Sequence, residues 1–163
     1  MRLRSFVAIP LLIAGLLVGG STAHAATERE VVRVYHEAVP PIATSGSGIG
    51  MVRTFFIPIA VDGKAADGQY LTGTLTTLAE NASDGLELRA SNLTFVFGEE
   101  ADQLVVGGIS LYPPTGATLA PGTKSVRPVL GGSGKYDGAT GQLISRNYGP
   151  AGWTHTFRIV LPD

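Results

Sequence analysis

Apolar residues in this chain alternate with polar ones or gather in short runs, and Gly, Pro, Asp and Asn recur between the runs. Alternation is the period of half-buried strands, and beyond the amino-terminal segment no stretch carries a helical apolar stripe. The pattern predicts strands over Val31–Ala38, Thr54–Val61, Gln69–Leu78, Leu86–Phe97, Gln103–Tyr112, Ser125–Leu130, Gln142–Tyr148 and Trp153–Leu161. Asp62-Gly63, Asp84-Gly85 and Asp137-Gly138 put residues that tolerate positive φ where the chain should reverse, and Gly98 to Asp102 reads as a short polar hairpin loop. Neighbouring strands are therefore expected to run antiparallel. Eight of them in one small unit suggest an all-β, eight-stranded antiparallel closed barrel, with a two-sheet sandwich as the competing architecture. A barrel of that size is filled by its own side chains or has room for one small ligand, so the architecture itself poses the functional question.

The amino terminus obeys a different rule. Arg2 and Arg4 precede an almost wholly apolar stretch from Phe6 to Val18, and Ala23-His24-Ala25 has the small-x-small form of a cleavage site. Residues 1–25 are expected to be a secretory signal peptide and residues 26–163 a single domain, exported as a secreted or periplasmic protein. The apolar stretch is shorter than the ~20 residues of a membrane-spanning helix, so no stable membrane anchoring is expected after cleavage. Ala38 to Gly50 is a long Pro/Gly/Ser-rich connection, either a linker or a lid.

Composition narrows the chemistry. The 163 residues include no Cys, which removes thiolate catalysis, Cys-ligated zinc, iron–sulfur chemistry and disulfides together. A net charge of −1 offers no basic field for nucleic acid, and no nucleic-acid partner is expected. His24 leaves with the signal; His36 and His155 lie far apart, with no spacing that suggests a metal site. No Gly-x-Ser-x-Gly elbow supports a serine hydrolase.

Candidate chemistry then rests on which side chains face inward. In the last strand Trp153, His155, Phe157, Ile159 and Leu161 share one face, expected to be internal. That would hold His155 between two aromatic residues as the candidate catalytic acid, base or hydrogen-bond donor, unless it is a structural histidine satisfied in the core. Trp153 and Phe157 are candidates for a ligand pocket, and His36, in alternation with Val32 and Val34, is another. Tyr70 heads a polar-aromatic stripe with Thr72, Thr74 and Thr76, opposite Leu71, Gly73 and Leu75, and either face could line a cavity. Asn92, midway along a long strand, is a further pocket candidate. The strand with Gln142, Ile144, Arg146 and Tyr148 on one face and Leu143, Ser145 and Asn147 on the other leaves inside and outside open.

Gly131-Gly132-Ser133-Gly134-Lys135 invites comparison with a phosphate loop, but it runs on into Tyr136-Asp137-Gly138-Ala139-Thr140-Gly141 rather than a helix, so nucleotide binding is not expected. The same segment resembles the Gly-Gly-Thr-Gly-Lys-aromatic-x-x-Ala-x-Gly signature of the dirigent and allene oxide cyclase barrel superfamily, with Ser133 where Thr is usual. The likeness extends to Thr94-Phe95-Val96-Phe97, to Gln103 through Gly108, to Ile59 through Lys64 with Gly68, and to the closing Trp153-Thr154-His155-Thr156-Phe157. The resemblance implies an eight-stranded antiparallel barrel, a homo-oligomer such as a dimer or trimer, and a cavity that binds a hydrophobic small molecule. It also implies that the cavity directs ring closure or stereoselective coupling without a cofactor, and it carries over no catalytic Asp or Glu. Whether the chain is such a cyclase or isomerase, or a non-catalytic ligand-binding or structural barrel, stays open at this point.

Overall fold

A computed structural model describes residues 28–39, 42–114, 116 and 118–162. The expected signal segment, its cleavage site and His24 lie outside the described residues. Nine antiparallel strands run in chain order: β1 (Glu28–His36), β2 (Ala43–Ser45), β3 (Val52–Val61), β4 (Lys64–Ser83), β5 (Leu86–Phe97), β6 (Glu99–Tyr112), β7 (Lys124–Ser133), β8 (Thr140–Asn147) and β9 (Trp153–Leu161). From β3 to β9 each strand pairs with its neighbour in sequence, β9 pairs with β1, and β1 returns to β3 through Val34 opposite Val61 and Tyr35 opposite Ala60. Eight strands thus close the antiparallel barrel that the alternation predicts. Closure gives each of these eight strands two partners, with the β1–β3 seam held by two residue pairs.

β2 is the addition that the sequence pattern does not show. Its three exposed residues pair with Val52 to Thr54 of β3, along the stretch of that edge that β1 does not cover. The connection from Ala38 to Gly50 therefore contains a strand as well as loop. Asp62-Gly63 and Asp84-Gly85 both take positive φ at each residue, 47° and 80°, then 47° and 74°, as a tight type I′ turn between twisted strands requires. The β5–β6 reversal is tighter than expected, because β6 already begins at Glu99 and only Gly98 lies between the two strands.

The barrel interior is divided along its axis. At the end where β5 stops and β6 starts it is apolar: Phe95, Leu104, Val106, Leu143 and Phe157 have no accessible surface, and Val32, Ile59 and Ile159 close around them. Phe157 meets Phe95 edge-on at 4.9 Å, and Phe97 meets Tyr136 at 4.8 Å. Burying each such side chain contributes about 1.5–3 kcal/mol, so this half supplies much of the folding free energy.

Tyr136 reaches that position because the glycine-rich segment turns sharply into a single 3-10 turn, Gly134–Tyr136. The segment lies against the β5–β6 hairpin: Ser133 Oγ donates to the Ala101 carbonyl, the Lys135 amide donates to Asp102 Oδ1 at 3.0 Å, and the Lys135 ammonium pairs with the same carboxylate. A Cβ at Gly132 would overlap the Tyr136 carbonyl oxygen and lie 2.8 Å from that of Gln103. The signature glycines thus serve a close backbone approach that seats an aromatic plug in the barrel end.

Candidate functional site

At the other end, where β1 stops and β9 starts, the inward face turns polar. The alternation that points Leu93, Phe95 and Phe97 of β5 inward also carries Ser91, Arg89 and Glu87 inside. Arg53 from β3, Thr77 from β4, Tyr112 from β6, Ser125 and Arg127 from β7, and Ser145 and Asn147 from β8 join them, all buried.

One carboxylate organises the first group of charges. Glu87 Oε2 accepts from Arg89 Nε at 2.8 Å, from Thr77 Oγ1 at 3.2 Å and from Arg53 Nη2 at 3.4 Å. Arg89 Nη1 donates to the Gly116 carbonyl at 2.8 Å and Nη2 to the Pro113 carbonyl at 3.0 Å, and its guanidinium lies 4.8 Å from the centre of the Tyr112 ring. That guanidinium ties the β6–β7 connection to the barrel wall. Arg127 stands apart from the carboxylate: its Nη1 donates to Ser125 Oγ and its Nη2 to the Tyr112 hydroxyl, both at 2.6 Å. Burial raises the Tyr112 phenol above its ordinary value, against the opposing pull of Arg127, Arg89 and Arg53.

Beside these lie three nearly parallel rings. His36 pairs across the β1–β9 ladder with Trp153, and His155 comes one pleat further along. The ring centres of His36 and His155 are 5.1 Å apart, and each lies 5.9 Å from the indole. His36 Nδ1 donates to the Glu37 carbonyl at 2.7 Å, which fixes its neutral tautomer and leaves Nε2 as the lone-pair nitrogen. His155 Nδ1 shares a 2.8 Å hydrogen bond with Ser145 Oγ, whereas its Nε2 is buried with no partner. Burial holds His155 well below the ordinary imidazole value, reinforced by the neighbouring His36 and Arg127; burial lowers His36 as well, against its bond to Glu37. Both rings are neutral at pH 7.

Between the rings and the arginines is a recess in which about 60 Å³ is open to the centre of a water molecule. Its polar wall is His36, His155, Ser145, Arg127 and Tyr112; Trp153, Phe55, Ile57 and Leu71 make the apolar wall. Val39 and Ile42, from the connection after β1, and Thr118 and Leu119, from the β6–β7 connection, also line it. That volume is well below the roughly 300–1,000 Å³ of drug-sized ligand sites, whereas the apolar lining with a few convergent polar groups has their usual character.

The residues singled out from sequence divide accordingly. His155, His36 and Trp153 come together in the recess. Phe157 faces inward as expected, but it is a packing residue of the apolar half and does not line the cavity. Tyr70 and Asn92 are corrected: alternation places both on the outer face, where Tyr70 stacks on the exposed Phe56 at 4.7 Å and Asn92 is exposed. In β8 the open choice resolves with Leu143, Ser145 and Asn147 inside. Sequence reasoning missed Glu87, Arg89, Arg53, Arg127 and Tyr112; for Glu87 and Arg89 the shared phase with Leu93 and Phe95 was the available signal.

No protein-family model matches the chain, and no curated protein matches it. Solved structures do. A pyocyanin demethylase superposes with a TM-score of 0.56 at 18% identity, covering 81% of this chain and 99% of its own. A pterocarpan synthase dirigent protein gives 0.57 at 11% identity over 96% of this chain and 97% of its own. A Diels–Alderase from Streptomyces koyangensis gives 0.52 at 19% identity over 87% of this chain and 71% of its own. At these identities the likeness speaks to architecture: the chain has the barrel fold shared by dirigent proteins and cycloaddition cyclases, as its glycine-rich signature implies.

Proposed function

We propose that this barrel binds one hydrophobic, conjugated small molecule in the recess at its polar end and holds it in the conformation that undergoes ring closure or stereoselective coupling. The observation that carries the reading is His155: an imidazole oriented by Ser145, packed against His36 and Trp153 and lining the recess, with a buried ring nitrogen that has no hydrogen-bond partner. The folds of a dirigent protein and a Diels–Alderase support the reaction class, since both names denote the direction of a bond-forming step.

Such catalysis asks little covalent chemistry of the protein. Confining a flexible precursor to one reactive conformer removes entropy from the barrier, an effect worth up to about 7–11 kcal/mol in well-oriented intramolecular reactions. The flat surface of Trp153 orients a conjugated system, the cavity wall selects the face of attack, and His155 accepts or delivers a proton at Nε2. The proposed role requires no cofactor. With the amino-terminal segment read as a signal, the proposed site of action is outside the cytoplasm.

A thermal-shift screen of conjugated hydrophobic compounds tests binding, and assay of the binders for cyclisation or coupling products tests catalysis. His155→Gln should retain the fold and lose product formation. Stabilisation by no compound in the panel would refute the binding reading. Binding with unchanged turnover in His155→Gln would instead leave shape alone as the catalyst.

A further inference from the structure

The polar end of the barrel holds more positive charge than it neutralises. Among the described buried residues Arg53, Arg89 and Arg127 stand against Glu87 alone, and both nearby histidines are neutral. Glu87 is committed to Arg53 and Arg89. Arg127 has only the Ser125 and Tyr112 hydroxyls, which are neutral partners. A guanidinium always keeps its charge, so burying one without a counterion is costly unless another anion neutralises it.

The hydrogen-bond inventory points to the same place. Arg127 Nε and His155 Nε2 are buried with no partner, and both residues line the recess. Arg127 Nε is a donor. His155 Nε2 is one too in the tautomer where the Ser145 hydroxyl donates to Nδ1, one of the two arrangements compatible with their 2.8 Å contact and a neutral ring. Two unpartnered donors and an uncompensated cation, walled otherwise by Trp153, Phe55, Ile57 and Leu71, describe a seat for negatively charged oxygen on an apolar body.

Resting on the ligand-binding reading above, we infer that the recess selects conjugated acids: a ligand whose carboxylate or enolate oxygen accepts from Arg127 Nε and His155 Nε2 while its conjugated part lies along Trp153. The anchored oxygen fixes which end of the molecule enters first. A neutral primary amide of the same shape still accepts from these donors through its carbonyl but leaves the Arg127 charge uncompensated, so its hydrogen bonds lack charge assistance and are weaker.

Sorbate and cinnamate, each paired with its neutral primary amide, separate the two propositions. Binding to the unaltered protein is read by calorimetry and by the emission of Trp153, the single tryptophan, with the Arg127 Nε–H and Trp153 indole N–H resonances as local reporters. At least one carboxylate should bind at least about tenfold more tightly than its amide, as expected when a charge-assisted pair is gained. The Arg127 Nε–H resonance should move with the acid only. In Arg127→Gln the preference should fall to about onefold, and His155→Gln, which leaves the Ser125 and Tyr112 hydroxyls paired with Arg127, should reduce it if the arginine variant does not fold. Equal affinity for acid and amide would overturn the charge assignment while leaving the hydrophobic-ligand reading in place. Failure of all four compounds to bind would overturn both.

Discussion

Replacing Glu87 with Gln tests how the polar end is held together. The substitution preserves shape but removes the one anion that faces Arg53 and Arg89, leaving three buried arginines without a described buried counterion. Arg89 would keep the Gly116 and Pro113 carbonyls, so its placement survives; Arg53 would keep Thr77 Oγ1 at 2.9 Å and little else. Breaking a buried ion pair by neutralising one partner typically costs about 3–5 kcal/mol, and this carboxylate serves two cations, so a loss of about 4 kcal/mol is expected. A domain of this size has about 7–20 kcal/mol in total, so the variant should fold with a urea midpoint lowered by roughly a quarter to a half. Arg53→Met makes the opposite change: it lowers the surplus of positive charge and leaves Glu87 paired with Arg89, and should cost only about 1 kcal/mol. Denaturation monitored by Trp153 emission and by circular dichroism measures both. A Glu87→Gln loss below about 1 kcal/mol, or Arg53→Met as damaging as Glu87→Gln, would refute the charge balance described for this end.

The same geometry sets other outcomes. His36 and His155 have values depressed below the ordinary ~6.5 by burial, so the unfolded chain takes up protons before the native one does. Stability should therefore be level above pH ~6.5 and fall below it, by up to about 1.4 kcal/mol per pH unit for each histidine; urea midpoints between pH 7 and 5 that do not change would contradict this. Gly132→Ala should lose at least about 2 kcal/mol, because both oxygens its Cβ would meet belong to backbone, whereas Gly63→Ala, with open space around it, should lose only about 1 kcal/mol from its positive φ. Phe157→Ala should cost about 3–5 kcal/mol in thermal or urea denaturation, as a fully buried aromatic packed on Phe95 and Phe97; a loss below about 1 kcal/mol would mean that this half of the barrel is loosely filled.

Much of the architecture is legible in alternation, because each strand has one face in a common interior. β5 and β9 fall on the residues their patterns predict, and Asp62-Gly63 and Asp84-Gly85 turn where expected. The site is less legible for the reason that makes it a site: its lining breaks the rule that the inner face is apolar. In β7 hydrophobicity points the wrong way, since Val126 and Leu130 are 48% and 65% exposed while Ser125 and Arg127, on either side of Val126, are buried. Glu87 and Arg89 look like solvated charges unless their phase is counted from Phe95. His155 is visible because aromatic and aliphatic residues flank it on one face; Ser145, its partner, carries no signal of its own. β2 has three exposed residues and no pattern to read.

The glycine-rich turn lies at the end of the barrel away from the recess, where it seats Tyr136 against Phe97. The segment by which this chain is recognised and the side chains that would meet a ligand are therefore different parts of the molecule, bound by different constraints. Gly132 answers to backbone clearance, which no ligand alters; Arg127, His155 and Trp153 answer to whatever occupies the recess. Descendants of one such barrel can keep the turn unchanged while exchanging the opposite lining for another substrate, so resemblance in this segment measures shared closure of the barrel and is silent about shared chemistry.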